Sequence, residues 1–95
     1  MTVAKLDALL AEGKRVVTGL LHHGPVSRPS GGGHYMLVYG KEAKGYRLHD
    51  PYGEMDLVNG GYLNANGKAQ LYSRERFAAR WCVENDHSGY ALWVA

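Results

Sequence analysis

Cysteine is almost absent from this sequence of 95 residues: it occurs once, as Cys82, so one chain cannot form an internal disulfide. No apolar run is long enough for a membrane span, and no signal peptide or lipidation motif is visible. The net charge is only +2, and the basic residues are scattered except for Arg74, Arg76 and Arg80. We expect these arginines to lie on a solvated helix face, and the weak charge argues against nucleic-acid binding.

Glycine and aromatic residues are abundant by contrast. The chain has 13 Gly, seven Tyr, two Trp and one Phe. Glycine at this level indicates tight turns and close backbone approach, and the aromatic rings supply large buried areas to a thin core. We therefore expect one compact domain over residues 1–95, because a chain of this length is long enough for one core only.

The apolar spacing predicts an α+β fold with an antiparallel sheet, one N-terminal helix and one short C-terminal helix. Thr2 is the expected N-cap of the first helix, and Ser73 is the expected N-cap of the second. The predicted helices cover residues 3–12 and 74–82. The predicted strands cover 15–21, 34–40, 44–50, 70–72 and 89–94. Residues 22–33 are expected to form a long loop, and residues 51–67 are rich in turn signals.

Residues 34–50 form a predicted hairpin whose register matters for chemistry. A three-residue turn over 41–43 pairs Met36 with Leu48 and places His34 directly opposite Asp50. Val38, Tyr46, Met36 and Leu48 then share one apolar face. A four-residue turn moves Leu48 and Asp50 to the face that carries Tyr35, Leu37 and Tyr39, which is also apolar. Periodicity leaves both registers open.

A carboxylate held against an imidazole fixes its tautomer and stabilises its charged form, and such an imidazole can activate a thiol or hydroxyl nucleophile. The pair His34 and Asp50 is therefore a candidate catalytic pair. A hydrogen bond that only satisfies two polar groups at a sheet end is the alternative interpretation. The glycines before His34 leave room for a substrate backbone.

Gly32-Gly33-His34-Tyr35, an apolar strand, a short turn, a second strand and then Asp50-Pro51-Tyr52-Gly53 resemble the C-terminal half of papain-like cysteine peptidases of the bacteriocin-processing type. The resemblance covers residues 5 to 93 and implies the sheet half of a papain-like fold. It implies that His34 is the general base and that Asp50 orients it. We expect the cleft rim to contain Ser30, Gly32, Gly33, Tyr35, Pro51 and Tyr52.

The resemblance also implies a nucleophilic cysteine well before the His and a glutamine at the oxyanion hole. No cysteine precedes His34 here, and the only glutamine is Gln70. We therefore expect that these residues are not catalytically self-sufficient. Cys82 follows the His and Asp, the reverse of the family order, and we expect helix packing to bury it.

The remaining histidines give no metal-ligand spacing, since His22 and His23 are adjacent in a predicted loop and no HExxH or CxxC pattern exists. We expect His22 and His23 to be exposed, and we expect no cofactor or metal. His49 is expected on the strand face opposite Asp50.

Three functions remain open from the sequence. One is part of a peptidase that gains its thiol from another chain or a longer gene product. Another is a binding module for a peptide or small molecule, and the third is a structural component such as part of a virion. Exposed apolar surface is expected to bind a second copy or an obligate partner chain. We expect a cytoplasmic chain with no membrane partner, which is compatible with release or carriage on a phage particle.

Overall fold

The computed structural model describes residues 1–85 and 88–93. The elements follow one another as α1 Val3–Ala11, β1 Val16–His23, β2 Ser30–Glu42, β3 Gly45–His49, β4 Glu54–Met55, β5 Tyr62–Asn64, β6 Gln70–Ser73, α2 Arg74–Trp81 and β7 Tyr90–Trp93. The predicted α+β class, with an antiparallel sheet and a helix near each end, is confirmed. Val94, which we included in the last strand, lies outside the described residues.

The main sheet has the order β6-β3-β2-β1-β7, and β4 pairs with β5 in a separate two-stranded ribbon. Each neighbouring pair of strands is antiparallel. Side chains alternate between the two faces of a strand, so Val16, Thr18 and Leu20 of β1 point to the same face, and all three are fully buried. This inner face carries the core, and the outer face of the sheet is left partly open to solvent.

Both helices pack on the inner face. Thr2 accepts a hydrogen bond from the Lys5 N–H at 3.0 Å, as predicted for an N-cap, and Ser73 accepts one from the Arg76 N–H at 3.4 Å. The buried side chains of the helices join those of the strands in a single core, which contains Leu6, Leu9, Leu10, Val16, Leu20, Met36, Val38, Tyr46, Leu48, Met55, Tyr72, Phe77 and Trp81.

The predicted hairpin forms with the correct face and the wrong register. Strand β2 extends further into the turn than expected, to Glu42, whereas β3 begins at Gly45, so that only Ala43 and Lys44 lie between them. Val38 pairs with Leu48, and a bulge at Tyr39 separates this pair from the pairs nearer the turn. Compared with the predicted pairing of Val38 with Tyr46, this pairing is displaced by two residues. Side chains alternate with a period of two, so the predicted apolar face remains the buried one.

The predicted loop over residues 22–33 is wrong at both ends. Strand β1 continues to His23, strand β2 begins at Ser30, and these two residues pair with each other. The polar and glycine-rich residues at these strand ends have low β-propensity, so the sequence indicated a loop. Pairing with a long neighbouring strand overrides that propensity. The turn-rich segment 51–67 contains the short strands β4 and β5, which were not predicted.

Candidate functional site

His34 and Asp50 meet at one end of the main sheet. His34 lies on the inner face of β2, opposite Leu20 of β1, and Asp50 follows directly after β3. The His34 Nε2 atom lies 2.5 Å from Asp50 Oδ1. The predicted contact is therefore confirmed, although the predicted direct pairing of the two residues across the hairpin is wrong. The chain reaches the contact by continuing past the last β2–β3 pair, which joins Leu37 to His49.

The Asp50 carboxylate is buried and surrounded by hydrogen-bond donors. Its residue is only 3% exposed. Besides His34, the Tyr72 hydroxyl donates to Oδ2 at 2.8 Å, and the Tyr52 backbone N–H donates to Oδ1 at 3.1 Å. The Tyr62 hydroxyl lies 3.4 Å from each carboxylate oxygen. A buried carboxylate requires such donors, because removing it from water without them is costly.

The Asp50 backbone is held by a hydrogen bond to Gly67, which approaches it closely. The Asp50 N–H donates to the Gly67 carbonyl at 2.8 Å, and a Cβ at Gly67 would lie only 1.7 Å from the Asp50 carbonyl oxygen.

Burial above all, and the nearby Asp50 charge, raise the pKa of Tyr62 and Tyr72. Both phenols therefore stay protonated and can serve as donors to the carboxylate.

Aromatic rings enclose the His34 imidazole, which is only 6% exposed. The Tyr52 ring stacks on it with centroids 4.3 Å apart, and the His22 ring stacks on it at 5.1 Å. The Tyr62 ring meets it edge-on at 5.7 Å. Tyr52 is itself 62% exposed, so it is the outermost of these rings.

The contact with Asp50 determines what His34 can do chemically. Donation from Nε2–H to the carboxylate leaves Nδ1 as the nitrogen that carries the lone pair. No hydrogen bond from another described residue occupies Nδ1. An imidazole oriented in this way can accept a proton from a thiol or a hydroxyl, and Asp50 stabilises the imidazolium that results.

The expected cleft-rim residues do not form one rim. Tyr52 is in contact with His34, and Pro51 is exposed beside it. Ser30 is exposed at the start of β2, where it pairs with His23. Gly32 lies within the same strand.

Gly33 and Tyr35 instead line a groove of about 310 Å³, together with Arg80 and Trp81 of α2. The groove also contains Gly19 and Tyr90, whose ring centroid lies 5.6 Å from that of Tyr35. A Cβ at Gly19 would lie 3.1 Å from the Tyr35 ring, so glycine lets this ring lie on the strand. His34 is not among the lining residues, because its side chain points to the inner face. The structure therefore places Gly33 and Tyr35 in a groove that does not include His34.

Sequence reasoning missed His22, which we expected in an exposed loop. His22 is partly buried on β1 and stacks on His34, whereas His23 is exposed as expected. The alternation of side chains along a strand could have predicted this position. Leu20 is apolar and buried, and the residue two positions further along a strand shares its face. Extending the strand by two residues would have placed His22 beside the candidate base.

Arg80 is also misplaced by the sequence prediction, since it is fully buried rather than solvated. Its guanidinium donates to four backbone carbonyls, two of them at the end of β1 beyond its last pair with β7. The acceptors are Leu21 at 3.1 Å, His23 at 3.1 Å, Gly24 at 2.7 Å and Leu57 at 2.9 Å. Arg80 therefore supplies the hydrogen-bond donors that a neighbouring strand would otherwise provide, and it fixes the backbone on which His22 lies.

Arg74 and Arg76 fit the solvated helix face better. Arg76 is exposed. Arg74 is partly exposed, donates to Asp7 at 2.5 Å and lies over the Tyr46 ring at 5.0 Å.

Cys82 follows α2 and packs against the core, but it is only partly buried, whereas we expected a buried thiol. Its Sγ lies 3.8 Å from the Met1 carbonyl oxygen, and it lines a groove with residues of α1 and α2. Neither His34 nor Asp50 lines that groove.

In the described parts of the chain, no group of three or more His, Cys, Asp or Glu side chains has the geometry of a metal site. Likewise, neither described helix has the length and apolar character needed to cross a membrane. Comparisons with known proteins add no candidate, because no family model, curated protein or solved structure matches this chain.

Proposed function

We propose that this chain carries the His/Asp half of a papain-like cysteine peptidase site of the bacteriocin-processing type, from a phage or a bacterium. In this proposal His34 is the general base and Asp50 is the residue that orients it. The substrate is a peptide bond, and the reaction is acyl transfer to a thiol followed by hydrolysis. The observation that carries the proposal is the 2.5 Å contact from His34 Nε2 to a buried carboxylate that three other residues also hold.

This arrangement exceeds what a structural hydrogen bond at a sheet end requires. A buried carboxylate is costly to desolvate, and an apolar pair of the same shape stabilises a core as well or better. Here one aspartate orients one imidazole, and it accepts further hydrogen bonds from the Tyr72 and Tyr62 hydroxyls and from the Tyr52 N–H. An imidazole with a fixed orientation and an available nitrogen is the property that general-base catalysis needs.

The thiol in this proposal comes from outside these 95 residues. Cys82 is the single cysteine, and the groove it lines does not include the His34 site. A general base without its nucleophile loses most of its catalytic value, because such groups act as a unit. We therefore expect the purified chain alone to show no peptidase activity above background.

A non-catalytic binding module is the second candidate. The observation that favours it is the exposed Tyr52 ring stacked on His34, since an aromatic face beside an imidazole can hold a peptide or a small ligand without any nucleophile. In that case ligand binding would need Tyr52 and tolerate loss of the general base. A phage accessory or virion component with this fold would use the site in that way.

Thiol-dependent acyl transfer tests the proposed role of His34. The Cys82→Ser chain is mixed with p-nitrophenyl acetate and a small added thiol, and release of p-nitrophenolate is followed. The thiol sulfur bonds to the acetyl carbon, the ester C–O bond breaks, and His34 takes the thiol proton. Rates without thiol are subtracted, because an imidazole can attack this ester directly. We expect a protein-dependent rate that is first order in thiol and falls at least about tenfold in His34→Ala.

His49→Ala is the matched control, since His49 is an exposed imidazole on the other face of the sheet. It should leave the thiol-dependent rate unchanged. Equal rates for the parent chain and His34→Ala would refute the proposal. Peptide or small-molecule binding that is lost in Tyr52→Ala and kept in His34→Ala would then favour the binding module.

A further inference from the structure

The backbone around His22 is fixed on both sides. Its carbonyl accepts a hydrogen bond from the Gly61 N–H at 2.7 Å. The carbonyls of its two neighbours, Leu21 and His23, each accept from Arg80 at 3.1 Å. These hydrogen bonds hold the His22 backbone in place, and the His22 ring stacks on that of His34 at 5.1 Å with an angle of 14° between the ring planes.

The His22 imidazole carries a polar atom that the fold does not use. Its Nδ1 is buried and has no hydrogen-bond partner in the described structure. A buried polar atom without a partner destabilises a fold, and a hydrocarbon side chain of similar size would avoid this penalty. Packing alone therefore gives no reason for histidine at this position, whereas a role beside His34 does.

We propose that His22 is a positioning residue for His34: its neutral ring holds the His34 imidazole against Asp50, and protonation of His22 releases that contact. His22 thereby sets the lower pH limit at which the site keeps its geometry. The inference rests on the proposed function for its catalytic meaning, because it deepens the account of the same base. Its geometric content is separate and can be tested without any reaction.

The surroundings of His22 explain why its protonation would disturb the site. The titratable or charged groups that face it are His23, His34, Asp50, Tyr52, Tyr62 and Arg80. A proton on His22 would add a cation close to the Arg80 guanidinium and to the imidazoles of His23 and His34, all of which lower the pKa of His22. The one carboxylate among them already accepts hydrogen bonds from His34 and the tyrosines, so it cannot turn to His22 without leaving them.

Burial, and then the nearby His23 and His34, lower the pKa of His22. The folded chain therefore binds a proton at His22 less readily than the unfolded chain does. Its contribution to stability is present above the ordinary histidine pKa and is lost as the pH falls through the lowered value. The effect is thus confined to the acidic side of neutrality.

The low-field NMR signal of the proton between His34 Nε2 and Asp50 reports directly on this contact. In the wild-type chain we expect the signal at pH 7, and we expect it to disappear on acidification with the same midpoint as the titration of the His22 ring. In His22→Phe, which keeps a ring that cannot take a proton, the signal should persist to lower pH. In His22→Ala it should be weakened already at pH 7. His49→Gln, at an imidazole outside the cluster, should behave like the wild type.

The proposal is overturned if the signal disappears at the same pH in His22→Phe and in the wild type. It is also overturned if His22→Ala keeps the full signal at pH 7. Should His22→Phe not fold, the wild-type titration alone decides, since different midpoints for His22 and for the signal contradict the proposal. A chain that shows the expected NMR behaviour without thiol-dependent acyl transfer would refute the proposed function and leave the role of His22 in place.

Discussion

Replacing Tyr72 with phenylalanine removes a hydroxyl oxygen that contacts Asp50, the Met55 N–H and, at 3.2 Å, the Gly53 carbonyl oxygen. The Tyr72 hydroxyl donates to Asp50 Oδ2 at 2.8 Å and accepts from the Met55 N–H at 2.8 Å. A hydrogen bond to a charged group contributes about 1.5–3 kcal/mol, and a buried N–H without a partner costs about 1–3 kcal/mol. Because the two effects share one site, we expect a loss of about 2–4 kcal/mol rather than their full sum.

Such a loss is a large share of the roughly 5–15 kcal/mol that stabilises a typical domain. For a chain of this size it corresponds to a fall in Tm of about 10–25 °C. Urea unfolding followed by tryptophan fluorescence measures the change, and the m-value should stay constant.

Tyr35→Phe is the matched control, because Tyr35 is 52% exposed and its hydroxyl makes no hydrogen bond to another described residue. It should change the free energy of unfolding by less than about 0.5 kcal/mol. Tyr62→Phe should fall between the two, because the Tyr62 hydroxyl lies 3.4 Å from the carboxylate oxygens. If Tyr72→Phe were no more destabilising than Tyr35→Phe, the view that Asp50 depends on its phenol donors would be wrong.

Two further substitutions test the supports of the site by urea unfolding. Arg80→Met leaves four backbone carbonyls without their donor and should destabilise the chain by about 3–5 kcal/mol, whereas Arg76→Met on the exposed side of the same helix should have little effect. Gly67→Ala places a Cβ 1.7 Å from the Asp50 carbonyl oxygen and should cost about 2–4 kcal/mol, whereas Gly33→Ala meets no atom within 4 Å and should be tolerated. Equal effects within either pair would contradict the corresponding contact.

The parts of the fold that follow from local patterns were predictable. The helix caps Thr2 and Ser73 are where their side chains and the following apolar spacing place them. The shared face of Met36, Val38 and Leu48 was one of two that periodicity allowed; the register with a three-residue turn gave it correctly, because an error of two residues in register leaves side-chain parity unchanged. For the same reason, an incorrect register still predicts the contact between His34 and Asp50.

The parts that depend on distant partners were not predictable. Strand β1 extends to His23 because β2 pairs with it there and because Arg80, far away in the sequence, satisfies the carbonyls on the open side. Arginine on a polar helix is usually solvated, so its sequence context indicated the opposite. The phenols of Tyr62 and Tyr72 reach Asp50 from segments that carried turn signals or only a short apolar pattern.

The central claim is that Asp50 holds His34 with Nε2 protonated and Nδ1 available as a base. Nitrogen-15 NMR of the histidine rings at neutral pH measures this directly, since protonated and unprotonated ring nitrogens have distinct shifts. The account predicts that neutral His34 carries its proton on Nε2 in the wild-type chain and loses that preference in Asp50→Ala. A wild-type His34 whose neutral ring is protonated on Nδ1 would contradict it.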